Sequence, residues 1–176
     1  MPSLRIAILG AGHLGGTLGR KWAKAGHTVA FGVQNPSSER AQRLRAELGE
    51  HTLIGEPAQA LANSDIVLLA VPGTVVDEVI ATHAQLLDHK LIIDATNKVQ
   101  AAAEARPAQH VETRSLNSLA TLQAHTPNAR IYRAFNSYCW ESFADPLLPG
   151  CPGRPHLLRP RRLRAGCEAG GSRAPS

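Results

Sequence analysis

Three glycines in the spacing Gly10, Gly12 and Gly15 stand in ILGAGHLGG, residues 8–16, directly after an apolar stretch. At a strand-to-helix turn this spacing suits a pyrophosphate. The first glycine allows the tight turn, the second lets backbone approach the phosphates without a Cβ, and the third brings helix and strand together. Unpaired amides and the positive end of the helix then face the anion. Glycine-rich loops are common, so the context decides: a strand before, a helix after and a second strand within about 30 residues point to a bound dinucleotide. His13 lacks a partner in any metal-ligand spacing and reads as a loop residue over the phosphates, and no metal site is expected.

The end of the second apolar run bears on which dinucleotide. An NAD site usually carries an acid there, about 20 residues past the glycines, on the ribose hydroxyls. This chain has GVQNPSSER, with no acid before Glu39. Gln34, Asn35, Ser37 and Ser38 can donate hydrogen bonds, and Arg40 supplies a nearby positive charge, so the reading favours NADP. A plain turn with helix-capping serines stays open beside it. Other chemistry is thinly represented. There is no GxSxG elbow and no HExxH pair, and none of the cysteines Cys139, Cys151 and Cys167 has an evident activating partner. Asp65 precedes an apolar run and Asp94 ends one, so a parallel sheet would hold them at opposite edges and not as an acid/base pair. Lys98 could protonate a carbonyl substrate, and a solvated lysine is the plainer alternative. No catalytic acid, base or nucleophile is expected.

The elements that must position the glycine turn follow from period. Apolar runs occur at Leu4–Leu9, Thr28–Phe31, Thr52–Ile54, Ile66–Val71, Leu91–Ile93 and Arg130–Phe135. Several are apolar on consecutive residues, as strands covered on both faces are. Leu14, Leu18, Trp22 and Ala25 mark one helix face, and Pro36–Leu48 carries a second helical pattern. Thr74 with Asp77 resembles a capping box opening a third helix through Val75, Val76, Val79 and Ile80. Val99–Arg114 lacks a clean period and reads as a loop or weak helix. The alternation predicts an α/β fold: a doubly wound, parallel, three-layer sheet of the Rossmann type, with right-handed crossovers.

A chain of 176 residues makes one ordinary domain. Its formal charge of +5 is unevenly placed, because the residues after Gly150 hold six arginines and one glutamate, leaving 13 residues of each sign before them. The body is neutral. No secretory leader is visible, the longest apolar run (Ile66–Pro72) is far short of the roughly 20 residues of a membrane span, and the widely spaced odd cysteines suit a reducing compartment. A cytoplasmic chain is expected, with no membrane partner. The domain expectation is residues 1–150 as the dinucleotide-binding unit and 151–176 as a basic, disordered, Pro/Gly/Arg-rich tail. That tail lacks aromatic residues and amphipathic spacing, so nucleic acid is not expected as a partner.

The segments ILGAGHLGG, GVQNP, DIVLLAVP, IIDATNK and ARIYRAFNSYCWESFADP, in that order from Ile8 to Pro146, give the resemblance. The chain resembles the NADPH-dependent reductases of the deazaflavin coenzyme F-420, relatives of the pyrroline-5-carboxylate reductase N-terminal domain. It departs from them at Gln34, where the family commonly has arginine, and at Lys98, where proline is frequent. The resemblance implies hydride transfer between NADPH and coenzyme F-420, with the protein supplying orientation and electrostatics. It implies that Gly10, Gly12, His13, Leu14 and Gly15 hold the pyrophosphate, with Gln34 and Ser38 near the adenosine ribose. It further implies that Ala70, Val71 and Pro72 line the cofactor's path, and that Asn97, Phe135, Asn136 and Ser137 approach the nicotinamide and the deazaflavin. Pro72 ending a strand, Asn97 and Asn136 bonding turn backbone, and Ser137 capping are the structural alternatives.

Relatives continue after this point with further strands and helices that help bind the deazaflavin, and nothing after Gly150 resembles them. The expectation is a changed reading frame near Gly150, leaving the sheet incomplete at its C-terminal end and the strand at Ile131–Phe135 an open edge. An inactive dinucleotide-binding remnant, or an NADPH reductase of a small imine or carbonyl, are the other functional classes. A homodimer is left open.

Overall fold

The computed structural model describes residues 2–49, 52–97, 118–136 and 140–144. The elements run β1 (Arg5–Leu9), α1 (His13–Lys24), β2 (Thr28–Gly32), α2 (Glu39–Leu48), β3 (Leu53–Gly55), α3 (Pro57–Ala62) and β4 (Ile66–Leu69). They continue as α4 (Val76–Thr82), α5 (Ala84–Leu87), β5 (Leu91–Asp94), α6 (Ser118–His125), β6 (Arg130–Arg133) and α7 (Trp140–Ala144). The six strands form one parallel sheet in the order β3-β2-β1-β4-β5-β6. This is the doubly wound order, and its switch point lies between β1 and β4.

The consecutive apolar runs are explained by cover on both faces. Ile6, Ala7, Ile8 and Leu9 are each no more than 4% exposed, and Val67, Leu68 and Leu69 are fully buried. Alternate residues of each strand join different cores: Ala7, Leu9, Val67 and Leu69 pack with α3, α4, α5 and α6, whereas Ile6, Ile8 and Leu68 pack with α1 and α2. Close approach of α1 to the sheet depends on Gly19, where a Cβ would stand 2.2 Å from Phe31 Cζ.

Several element expectations need correction. The Thr74–Asp77 capping box does not form. Residues 72–75 close a turn, with the Val75 amide donating to the Pro72 carbonyl at 3.1 Å, and Val75 in a helical conformation is the N-cap of α4. Thr74 is therefore inside a turn, and Asp77 instead accepts from the Thr121 hydroxyl at 2.7 Å. α2 begins at Glu39 and not Pro36, because the Asn35 side chain accepts from the Ser37 amide (3.0 Å) in a turn and Ser38 caps the helix. Ala25, expected on the buried face of α1, is its exposed C-cap. β4 and β6 stop at Leu69 and Arg133, short of Val71 and Phe135. Helices α3, α5, α6 and α7 are not among the expected elements. The expectations for Val99–Arg114 and for the tail after Gly150 lie outside the described residues.

Candidate functional site

The glycine turn leaves β1 and enters α1 with each glycine differently employed. Gly10 has φ +105°, and a Cβ there would lie 2.5 Å from the carbonyl oxygen of Ala70, so backbone from β1 and the β4 loop meet closely. At Gly15 a Cβ would lie 2.2 Å from the Gly10 oxygen. Gly12 is the contrast: among the described residues nothing lies within 4 Å of where its Cβ would be. Packing explains two of the glycines. It does not explain Gly12, which faces open space at the switch point.

That open space lies at the positive end of α1. Gly12 is the N-cap and supplies no side-chain cap, and the first turn has no acid. The first helical bond is Gly16 N–H to the Gly12 carbonyl at 2.8 Å, leaving the amides of His13, Leu14 and Gly15 without a partner among the described residues. Lys21 and Lys24 sit in the last turn, where cations complement the helix dipole. Such a terminus accepts an anion that backbone can approach. Leu14 is half-buried against the α1-side core, so its amide and not its side chain faces the opening.

The flanks of the turn come from β4 and β2. Ala70, Val71 and Pro72 follow β4 directly, and the Ala70 amide donates to the Leu9 carbonyl at 2.9 Å, which seats this loop beside Gly10. After β2, Gln34 and Asn35 are exposed, and no carboxylate intervenes before Glu39. Ser38 Oγ accepts from the Ala41 amide at 3.3 Å, so the capping alternative for this serine is realised, with its O–H still able to donate elsewhere.

Asn97 and Asn136 come together beyond β5 and β6. Asn97 Nδ2 donates to the Asn136 carbonyl (3.1 Å), and Asn136 Nδ2 donates to the Thr96 carbonyl (2.9 Å). Both side chains thus bond turn backbone, as the structural alternative has it. Phe135 adopts φ +67°, and its ring meets Phe143 edge-on at 5.3 Å and Trp22 at 6.4 Å, which turns it toward α1 and α7. Ser137 and Lys98 lie outside the described residues. His13 stacks on Trp140 with ring centroids 4.7 Å apart, which packs α7 against the His13 side chain at the start of α1. Trp140 has no signal in hydrophobic period, because a five-residue helix has none to read.

The two aspartates occupy opposite edges, as expected. Asp65 lies at the amino edge, and hydrogen bonds from Arg5 at 2.7 and 2.9 Å hold its carboxyl below the usual carboxylate range. Asp94 ends β5 at the carboxyl edge and is 1% exposed. Among the described residues no cluster of ligating side chains could hold a metal ion, and no helix is long and apolar enough to cross a membrane.

Residues 5–98 match the family described as NADP oxidoreductase, coenzyme F420-dependent. The chain belongs to that family. It is also similar to glycerol-3-phosphate dehydrogenase [NAD(P)+] of Azotobacter vinelandii, 29% identical over 117 residues, covering 61% of this chain and 34% of that protein. The chain thus spans about a third of the length of the curated relatives it matches. Among solved structures, a protein of Arthrobacter sp. FB24 assigned as an F420-dependent NADP-reductase superposes with TM-score 0.67 at 24% identity, covering 82% of this chain and 67% of that one. A reductive aminase of Aspergillus terreus, in complex with NADPH and ethyl levulinate, gives 0.51 at 21% identity, over 75% of this chain and 40% of that one. These two likenesses bear out the Rossmann-type fold.

Proposed function

We propose that the chain binds NADP(H) along the carboxyl edge of the sheet and passes a hydride between it and a deazaflavin of the coenzyme F-420 type. The observation that carries this reading is that, among the described residues, Gly12 faces open space and the amides at the start of α1 have no partner, inside the segment matched by the NADP oxidoreductase family. Gly10, Gly12, His13, Leu14 and Gly15 would hold the pyrophosphate, Gln34 and Ser38 the adenosine ribose, and Ala70, Val71 and Pro72 the path between. Asn97, Phe135, Asn136 and Ser137 would border the nicotinamide end and the second substrate. Residues 1–150 would form the dinucleotide-binding unit, with 151–176 a basic extension.

Bound nicotinamide supplies the hydride. The chain's own work is to bind and orient: amides of α1 neutralise the diphosphate, and the paired asparagines set the far wall of the groove. The exposed turn at Gln34–Ser38 offers hydrogen-bond donors and no carboxylate to repel a 2′-phosphate, which favours NADP over NAD. Titration with NADPH and NADH, run beside a turnover assay that follows deazaflavin absorbance, tests the reading. NADPH should bind more tightly than NADH, and deazaflavin should be converted. Absence of dinucleotide binding would sink the proposal. The likeness to a glycerol-3-phosphate dehydrogenase supports a second reading, reduction of a small carbonyl, in which NADPH is oxidised with such a substrate and not with the deazaflavin.

A further inference from the structure

The groove just described makes no use of the Asp94 side chain, yet that carboxylate is almost wholly buried, at 1% exposure. Its Oδ1 accepts from the Thr96 amide at 2.9 Å and the Thr96 hydroxyl at 2.6 Å, and its Oδ2 accepts from the Ser118 hydroxyl at 2.8 Å. The Arg133 guanidinium stands 3.6 Å from Oδ2. The Thr96 carbonyl in turn accepts from Arg133 (3.2 Å) and Asn136 (2.9 Å). Every polar group of Thr96 is therefore held, and the next residue is Asn97, exposed on the carboxyl edge.

A buried carboxylate is costly, and one that accepts three hydrogen bonds through both oxygens fixes its surroundings tightly. Strand order does not require this one. Asp94 already pairs through its backbone with Leu69 in β4 and Arg133 in β6. What the side chain adds is the course of the chain after β5, at the edge where ligands of doubly wound sheets bind. Its hydrogen-bond donors come from the segment after β5 and the first residue of α6, and its ion-pair partner from β6. A neutral amide at residue 94 would offer one acceptor oxygen where the network uses two.

We infer that Asp94 is a positioning residue which, through Thr96, fixes Asn97 at the nicotinamide end of the groove and so acts on that half of the dinucleotide alone. The inference rests on the proposal that NADP(H) lies along this edge. The test uses the full chain with Asp94→Asn, Thr96→Val and Thr96→Ser, each checked for cooperative thermal unfolding and titrated by calorimetry. Two probes are compared: NADPH, and 2′-phospho-ADP-ribose, which keeps the diphosphate and lacks the nicotinamide. Asp94→Asn and Thr96→Val should weaken NADPH by about tenfold while leaving the fragment within about twofold, since hydrogen bonds to a charged group are lost at one end only. Thr96→Ser, which keeps the hydroxyl, should restore NADPH affinity. Equal loss of both ligands, or no loss of either, overturns the positioning role, as does a wild type that holds NADPH but not the fragment. If Asp94→Asn does not fold, the two Thr96 variants decide. A wild type that binds neither probe refutes the cofactor proposal itself, and the role of Asp94 with it.

Discussion

Gly12 and Gly15 separate a glycine that packing among the described residues does not require from one that it does. A methyl group at Gly15 would enter the Gly10 carbonyl, whereas at Gly12 it would meet none of the described residues. Gly15→Ala should therefore cost about 1–3 kcal/mol of stability, as overpacking at a rigid backbone contact does. Gly12→Ala should cost about 1 kcal/mol or less, the difference between glycine and alanine at an N-cap. NADPH binding should show the reverse order: Gly12→Ala should weaken it by at least about tenfold, because the methyl group would stand in the proposed path of the diphosphate. Denaturant unfolding and ligand titration on the same two proteins check both halves. A Gly12→Ala variant that binds NADPH normally would remove the phosphate reading of this turn. This motif was legible because its spacing, its preceding strand and its following helix all lie within one short stretch. Asp94 was legible only in part. The Asp-x-Thr pattern of Asp94 and Thr96 is a local signal for a side chain bonding backbone two residues on. Its bond to Ser118 spans 24 residues and joins the two only in the folded chain. The ring of Phe135 was hidden for a related reason, since a positive φ at a non-glycine residue leaves no trace in composition.

The strands were easiest to read where helices cover both faces, because burial then demands apolar residues in succession. β1 and β4 show this, while β3, with three residues at the edge, gave only a weak pattern. Helix starts were harder, since the same sequence pattern serves in one place and is idle in another. Thr74 and Asp77 have the spacing of a capping box and do not form one, because the Pro72–Val75 turn brings the chain into α4 already in a helical conformation. At α3 the start signals were present and usable: Pro57 at the first helical position, and Gln59 reaching back to the Glu56 amide at 3.1 Å. Connections between elements carry their own pH dependence. Asp88, after α5, accepts from the amide and the side chain of Asn128, both at 2.9 Å, and so ties the approach to β5 to the approach to β6. The Asn128 side chain, foremost, holds the Asp88 carboxyl below its ordinary range. A depressed folded pKa means stability that is present above the unfolded value, about 3.9, and is lost as pH falls through the folded one. Asp88→Ala should accordingly be less stable than wild type near neutrality, with the gap closing as pH drops below about 4. Thermal unfolding at a series of pH values checks this, and a gap that stays constant into acid would show that the carboxylate's charge is not what ties the two loops.

At the scale of the molecule, the described core and the excess charge fall in different parts of the chain. Among the described residues, both hydrophobic cores are built from residues between Ile6 and Phe143. The excess positive charge lies after Gly150, in six arginines set against one glutamate. A chain ending at Gly150 should therefore unfold within about 4 °C of the full chain, equivalent to roughly 1 kcal/mol at this size. It should bind NADPH with the same affinity at moderate salt, because the proposed diphosphate contacts are amides of α1 and not arginines of the extension. Salt dependence distinguishes the sources of any difference. If the extension only raises the local concentration of a polyanion, the full chain's advantage should fade as salt rises and screening takes hold. If instead the shortened chain melts far below the full one, or loses NADPH at all salt concentrations, the last residues contribute to the fold or the groove, and Gly150 is not the boundary. Cation-exchange retention supplies the control, since a body with 13 residues of each sign should lose the retention that the full chain shows.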